Sequence, residues 1–142
     1  MFNKIVLRRI TAVDDLSGIK VLRHRLVESI QEGLAYGAFY KRKLVSYIAP
    51  VNLNVAPRTL LLSCVSEDEL SEVKKHMTMV KNVYCITHSS GKYILDLLNV
   101  FANEIDKDSV TFTPYYTAHK EFVSAGYSRM TLNTSKREIL IK

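Results

Sequence analysis

Apolar and polar positions alternate along residues 4–10, with Ile5, Leu7 and Arg9 on one face, the two-residue period of a strand. The period then changes. Asp14 and Asp15 precede Leu16, Ile19, Leu22, Leu26 and Ile30, apolar positions spaced by 3, 3, 4 and 4 residues. That spacing predicts a helix whose acidic first turn suits its dipole and whose stop is Gly33. Two strand-like runs, 34–40 and 44–51, flank the basic turn Lys41-Arg42-Lys43 and predict a hairpin. Residues 59–65 are apolar and of strand length, and Ser66-x-x-Glu69 is a capping box opening a short helix that carries Leu70, Val73 and Met77. A strand over 83–87 ends in His88-Ser89-Ser90-Gly91. The helix expected from Lys92 to about Ile105 is apolar on most of its circumference (Ile94, Leu95, Leu97, Leu98, Val100, Phe101, Ile105), which predicts a helix held between layers. A strand over 110–113 follows. Pro114 at a first helical position opens a helix ending at Gly126, and a hairpin over 127–132 and 138–141 closes the chain. The order β α β β β α β α β α β β predicts a central sheet covered by helices, an α/β (α+β) class.

Composition narrows the function classes. With 142 residues the chain fits a single domain over 1–142, and 47% apolar residues exclude disorder. No apolar run approaches the roughly 18 residues of a membrane span, and Met1-Phe2-Asn3-Lys4 does not open a signal peptide. A cytoplasmic protein without a membrane partner is therefore expected. Cys64 and Cys85 have neither metal-ligand nor disulfide-framework spacing, which suits a reducing compartment. The net charge is +6, and nine of the 20 Lys+Arg fall within residues 1–50, against Asp14, Asp15, Glu28 and Glu32. Nucleic acid is the obvious partner to consider, because Arg8, Arg9, Lys20, Arg23, Arg25, Lys41, Arg42 and Lys43 lie near Tyr36, Phe39 and Tyr40. No RRM, KH or helix-turn-helix motif accompanies them, and the apolar content gives those aromatics a core role, so nucleic acid ranks last.

Candidate chemistry is sparse. His24, His76, His88 and His119 are scattered, no metal site can be built, and His24 between Arg23 and Arg25 reads as part of a solvated helix face. Cys64 and Cys85 sit in apolar strands and read as small buried hydrophobes. The run 83–93 is more informative: a strand enters a small-residue turn that opens a helix. Free turn N–H groups, the helix dipole and Lys92 suit a phosphate. Ser-Ser-Gly-Lys is not a Walker A motif, since the first Gly and the Ser/Thr after Lys are absent, and the turn by itself reads as a plain β–α turn. Tyr115, Ala118, Phe122 and Ala125 form one helical stripe ending at Gly126, plainly read as core packing with a C-terminal cap.

Taken together, the element order and the motifs resemble the GNAT superfamily of acyl-CoA-dependent N-acyltransferases. The run from Val6 through Ile10, Thr11 and Asp14 to Leu16 is similar to the family's opening strand and helix start, I-R-x-A-T-x-x-D. Gly37 to Ile48 resembles its "dGklVGfi" hairpin, and His88 to Leu98 stands where the family has its acyl-CoA loop and helix. Ala118 to Tyr127 resembles the ending A-x-x-f-Y-e-k-l-G-F, with the Ala-to-Gly interval of eight kept. The resemblance spans nearly the whole chain, and only this last motif is moderately specific.

The resemblance implies a GNAT-like domain with a mixed, mostly antiparallel sheet flanked by helices, moving an acetyl group from acetyl-CoA to an amine on a small molecule or protein. Ile86 and Thr87 would face the pantetheine arm, and Ser89, Ser90, Gly91 and Lys92 would hold phosphate. Phe122 would lie at the cofactor, a strand N–H would stabilise the oxyanion, and His88 or Glu121 would act as base. The family's loop is Q/R-x-x-G-x-G/A, whereas His88-Ser89-Ser90-Gly91-Lys92-Tyr93 keeps one Gly and ends in bulky Tyr93. The tyrosine credited with protonating the departing thiolate aligns with Phe122, leaving Tyr115, Tyr116 or Tyr127 to replace it; Tyr116 is taken as the candidate. Residues 58–79 are extra to the family plan. The alternative is a catalytically inactive GNAT-like protein acting through protein–protein contacts, a pattern familiar among phage-encoded proteins, including virion components. In the GNAT plan the basic first third borders the acceptor side, which hints at an acidic substrate or partner.

Overall fold

A computed structural model describes residues 4–11, 14, 16, 23–53, 66–75, 82–114 and 119–142. In chain order the elements are β1 (Val6–Arg9), α1 (Arg23–Gln31), β2 (Tyr36–Tyr40), β3 (Lys43–Asn52), α2 (Glu67–Lys75), β4 (Val83–Ser90), α3 (Ile94–Glu104), β5 (Val110–Pro114), α4 (His119–Ser124), β6 (Ser128–Thr131) and β7 (Glu138–Ile141). The strands form one seven-stranded sheet in the order β1-β2-β3-β4-β5-β7-β6, flanked by helices. Pairings β1–β2, β2–β3, β5–β7 and β6–β7 are antiparallel. β4 pairs with β5 in parallel over Val83↔Val110, Tyr84↔Thr111 and Cys85↔Phe112. The strand expected at 59–65 and the start of the first helix lie outside the described residues. No helix among the described residues is long and apolar enough to cross a membrane.

The chain divides into two compact units, Met1–Val51 with Thr87–Glu104, and Asn52–Ile86 with Ile105–Lys142. In the first, Leu26 of α1 packs with Ile10, Ala35, Phe39, Leu44, Tyr47 and Ala49 on one face of β2 and β3. Helix α3 packs against β1 and β2. There Tyr36 meets Phe101 edge-on, with ring centroids 5.9 Å apart. The Tyr36 hydroxyl donates to Glu104 Oε2 at 2.6 Å and accepts from Arg9 Nε–H at 2.9 Å. Arg8 holds Asp14 through both guanidinium nitrogens and keeps its carboxyl near pKa 2, well below the usual value. A Schellman closure ends α1: Leu34 N–H donates to Ser29 O and Gly33 N–H to Ile30 O.

One irregularity positions everything that follows. β2 and β3 are in register at Ala38↔Ser46 and then at Phe39↔Leu44, so Val45 is skipped as a β-bulge. The extra residue leaves Val45 41% exposed and turns Ser46 away from the Leu44–Tyr47 face.

In the second unit the capping box forms as expected: Ser66 N–H donates to Glu69 Oε1 at 2.9 Å, and Glu69 N–H donates to Ser66 Oγ at 3.2 Å. Val73 is buried. Helix α4 ends in a second Schellman closure, Tyr127 N–H to Phe122 O and Gly126 N–H to Val123 O.

Three sequence expectations are corrected. Pro114 does not open a helix; it ends β5, opposite Ile139 of β7, a strand end where the missing N–H is tolerated. Helix α3 is not held between layers: Ile94, Leu97, Leu98 and Phe101 are buried, but Asp96, Asn99 and Asn103 are exposed. β4 continues past Thr87 to Ser90, so the turn into α3 starts at Gly91.

Candidate functional site

β4 delivers five candidate residues in succession, Ile86 to Ser90. Ile86 is fully buried, and its carbonyl accepts from the Thr113 hydroxyl at 2.9 Å. Thr87 is buried and its hydroxyl donates to Ala49 O at 2.9 Å, which ties β4 to β3. His88 and Ser89 are half-buried. The exposed residues Ser90, Gly91 and Lys92 then carry the chain to Tyr93, and α3 begins at Ile94.

A side chain that the sequence reading did not single out shapes this turn. Ser46 Oγ donates to Ser90 O at 2.8 Å and accepts Tyr93 N–H at 3.1 Å, bridging the end of β4 and the residue before α3. Gly91 has φ +96 between these two bonds, and a Cβ there would lie 2.6 Å from Ser46 Cβ, Ser46 Oγ and Val45 O. Only glycine fits, both for the left-handed backbone and for the close approach of β3. The bulge at Val45 is what presents Ser46 to the turn. No feature of the sequence announces this, because Leu44-Val45-Ser46 reads as ordinary strand.

The junction is suited to an anion. The first N–H groups of α3 have no partner within the helix, and Lys92 stands exposed beside them, its Nζ 5.3 Å from the Tyr93 ring centroid. Two features temper this. Tyr93 N–H is already given to Ser46, and Asp96, exposed in the first turn of α3, offsets part of the positive field.

His88 contacts the ring of Tyr47, with centroids 5.6 Å apart. Tyr47 is 1% exposed, its hydroxyl has no hydrogen-bond partner among the described residues, and burial pushes its pKa up to about 12. An orphan buried hydroxyl costs about 1–3 kcal/mol. Tyr47→Phe is therefore expected to stabilise the chain by about 1 kcal/mol, read as a higher urea midpoint at unchanged m-value. An unchanged or lower midpoint would show that the hydroxyl has a partner.

Glu121 and Phe122 lie on α4, in the second unit. Glu121 is half-buried, whereas Phe122 is 1% exposed and packs edge-on against Tyr127 with centroids 5.1 Å apart. Burial raises the pKa of the Tyr127 phenol, which also hydrogen-bonds Thr111. Tyr115 and Tyr116 lie outside the described residues, as do Cys64 and His76. Cys85 is fully buried. Of the predicted set, then, His88, Ser89, Ser90, Gly91 and Lys92 share one junction, and Glu121 with Phe122 share another element.

No protein-family model and no characterised protein sequence matches this chain. Solved structures do. An agmatine N-acetyltransferase mutant in its apo form matches with a TM-score of 0.63 at 10% identity, covering 98% of this chain and 99% of that one. A Drosophila melanogaster polyamine N-acetyltransferase, which catalyses formation of N-acetylagmatine, matches with a TM-score of 0.66 at 9% identity and the same coverage. Arabidopsis thaliana Naa50, in complex with a bisubstrate analogue containing CoA, matches at 0.53 and 13% identity over 96% of this chain and 95% of that one. The likeness carries no support for a viral source. At such identities it shows the fold, and the fold is that of GNAT-type N-acetyltransferases.

Proposed function

We propose that this chain transfers an acetyl group from acetyl-CoA to an amine acceptor. The observation that carries this reading is the Ser46-clamped junction, with Gly91 at its centre, at the end of β4 in a fold shared with N-acetyltransferases. Acetyl-CoA supplies an activated acyl thioester. The chain's own contribution begins with the exposed residues Ser90, Gly91 and Lys92, whose backbone N–H groups and Lys92 ammonium would hold the phosphates. His88 takes the proton from the attacking amine; its half-buried ring, steadied by Tyr47, keeps a fixed orientation. Glu121 is the second candidate for that base. Phe122 gives no proton, but a thiolate is a tolerable leaving group, so the missing acid costs the roughly 10²- to 10⁴-fold of general acid catalysis. Tyr116 remains the candidate to restore it.

Charge shapes the acceptor. A chain of net charge +6 repels polycations and steers toward acidic molecules, so an amine carried on an acidic molecule fits better than a polyamine.

Acetyl-CoA at about a hundred times its dissociation constant is expected to stabilise the fold by about 2.7 kcal/mol, raising Tm by roughly 8 °C. Release of free CoA should then follow addition of an amine, faster for the free N-terminus of an acidic peptide than for spermidine, with the gap narrowing as salt rises. Because Tyr93 N–H is already held by Ser46, a scaffold without cofactor binding is the second reading. Absence of any shift at millimolar acetyl-CoA would establish it.

A further inference from the structure

Ser90, Gly91, Lys92 and Tyr93 form a four-residue reversal between β4 and α3. Gly91, second of the four, has φ +96, the sign that a type II′ turn requires there. Such a turn closes on a bond from the fourth N–H to the first carbonyl. Here that bond is replaced by a bridge of two, because Ser46 Oγ accepts Tyr93 N–H at 3.1 Å and donates to Ser90 O at 2.8 Å. One hydroxyl from β3 therefore stands between the two ends of the turn and holds them apart. Ser46 is buried, and the bulge at Val45 directs it toward Gly91. The bridge uses neither the Gly91 N–H nor the Lys92 N–H, and both residues are exposed.

We propose that Ser46 is the positioning residue for this turn: its hydroxyl keeps the reversal open, so that the N–H groups of Gly91 and Lys92 stay turned toward a bound diphosphate. The diphosphate is that of acetyl-CoA, which rests on the acetyltransferase reading above; the spacing of the turn does not. Without the hydroxyl, Tyr93 N–H and Ser90 O lose their shared partner and are drawn together into the direct bond, since an unmet donor away from water is costly. What fills the place of the hydroxyl decides the outcome. Ser46→Ala keeps Cβ and leaves a gap smaller than a water, so the turn shuts. Ser46→Gly removes Cβ as well and makes room for one water, which accepts from Tyr93 N–H and donates to Ser90 O, so the spacing returns.

Calorimetric titration of the full chain and both variants with acetyl-CoA, and with inorganic pyrophosphate as a probe of the turn alone, tests this. Ser46→Ala is expected to bind each about tenfold more weakly, and Ser46→Gly to stay within about threefold of the wild type. Phosphates bind alike in the ground and transition states. In acetyl transfer Ser46→Ala should therefore raise KM for acetyl-CoA and leave kcat within about twofold. Ser46→Gly, with glycine inside a strand, should have the lower urea midpoint of the two variants and yet the tighter binding, an order that loss of stability alone does not produce. In the wild type, acetyl-CoA should slow amide exchange at Gly91 and Lys92 and leave Tyr93, already bonded to Ser46, unchanged. Equal binding by the wild type and Ser46→Ala, or by Ser46→Gly and Ser46→Ala, would overturn the role of Ser46, and so would protection gained at Tyr93. Pyrophosphate binding in the expected order without any acetyl-CoA binding counts against the acetyltransferase reading alone. Absence of binding by both ligands overturns the two together.

Discussion

Gly91→Val is expected to cost about 3 kcal/mol of folding stability and to abolish any rise in Tm produced by acetyl-CoA. Two penalties add. At φ +96 a β-branched residue is held in a backbone region that L side chains avoid, at about 1–3 kcal/mol. Its Cβ must also push into Ser46 and the Val45 carbonyl, each 2.6 Å away, and a backbone carbonyl in a bulged strand has little room to retreat. The turn then gives way, and with it the bonds from Ser46 to Ser90 O and Tyr93 N–H that set the entry into α3. Gly33→Ala is the control. Gly33 has a similar φ of +73, but nothing lies within 4 Å of its would-be Cβ, so only the backbone penalty of about 1 kcal/mol remains. Urea midpoints for the two variants, with acetyl-CoA titrated into each, separate contact from conformation. Equal losses in both would show that the approach of β3 does not matter. A Gly91→Val protein that keeps its acetyl-CoA affinity would remove the phosphate loop from this turn. In a double-mutant cycle of Gly91→Ala with Ser46→Ala, only part of the loss should return, since Ser46 Cβ and Val45 O stay in place.

How the sequence encodes this junction explains what could be read from it. The succession of strand, turn and helix over 83–105 was legible because periodicity changes there and because Gly91 falls at the change. The Ser66–Glu69 box and the stops at Gly33 and Gly126 were legible for the same reason: each is a local rule satisfied by residues three to five apart. The end of β4 was misplaced because Ser89 and Ser90 lean toward solvent, so the alternation that marks a strand fades while the pairing continues. The bulge at Val45 left no mark at all. A skipped residue in β3 is defined only against β2, a relation between distant segments, and the role of Ser46 depends on it. Pro114 was misassigned because proline suits a first helical position and a strand end equally well, and only the partner Ile139 decides. Tyr40 shows the opposite case: composition assigned the aromatics near the basic hairpin to the core, which holds for Tyr36 and Phe39 but not for Tyr40, 37% exposed.

Glu72→Ala is expected to cost about 3 kcal/mol, almost all of it at the hairpin between β6 and β7. Glu72 is 9% exposed on α2, and its carboxylate accepts Asn133 N–H at 2.7 Å, Thr134 N–H at 2.9 Å and the Thr134 hydroxyl at 3.0 Å. Hydrogen bonds to a charged group contribute about 1.5–3 kcal/mol each, and their sum is reduced here because both turn residues are exposed and water can replace the carboxylate. Glu69, one helical turn earlier, grips the same hairpin through the Ser135 hydroxyl at 3.0 Å and Arg137 at 2.8 Å. Burial pushes the Glu69 carboxyl up, but Ser66 N–H, the Ser135 hydroxyl and Arg137 outweigh it and leave its pKa below the usual value. Its contribution is therefore present above the unfolded-state pKa of 4.5 and is lost as pH falls through the lower folded value. Glu72→Gln keeps one acceptor oxygen and should lose about half as much as Glu72→Ala. Amide exchange supplies the decisive readout: at neutral pH, Asn133 and Thr134 should lose protection in Glu72→Ala while the amides of β2 and β3 keep theirs. Unchanged exchange at those two amides would show that the hairpin holds its shape without the Glu72 carboxylate, and would leave that side chain with no structural task.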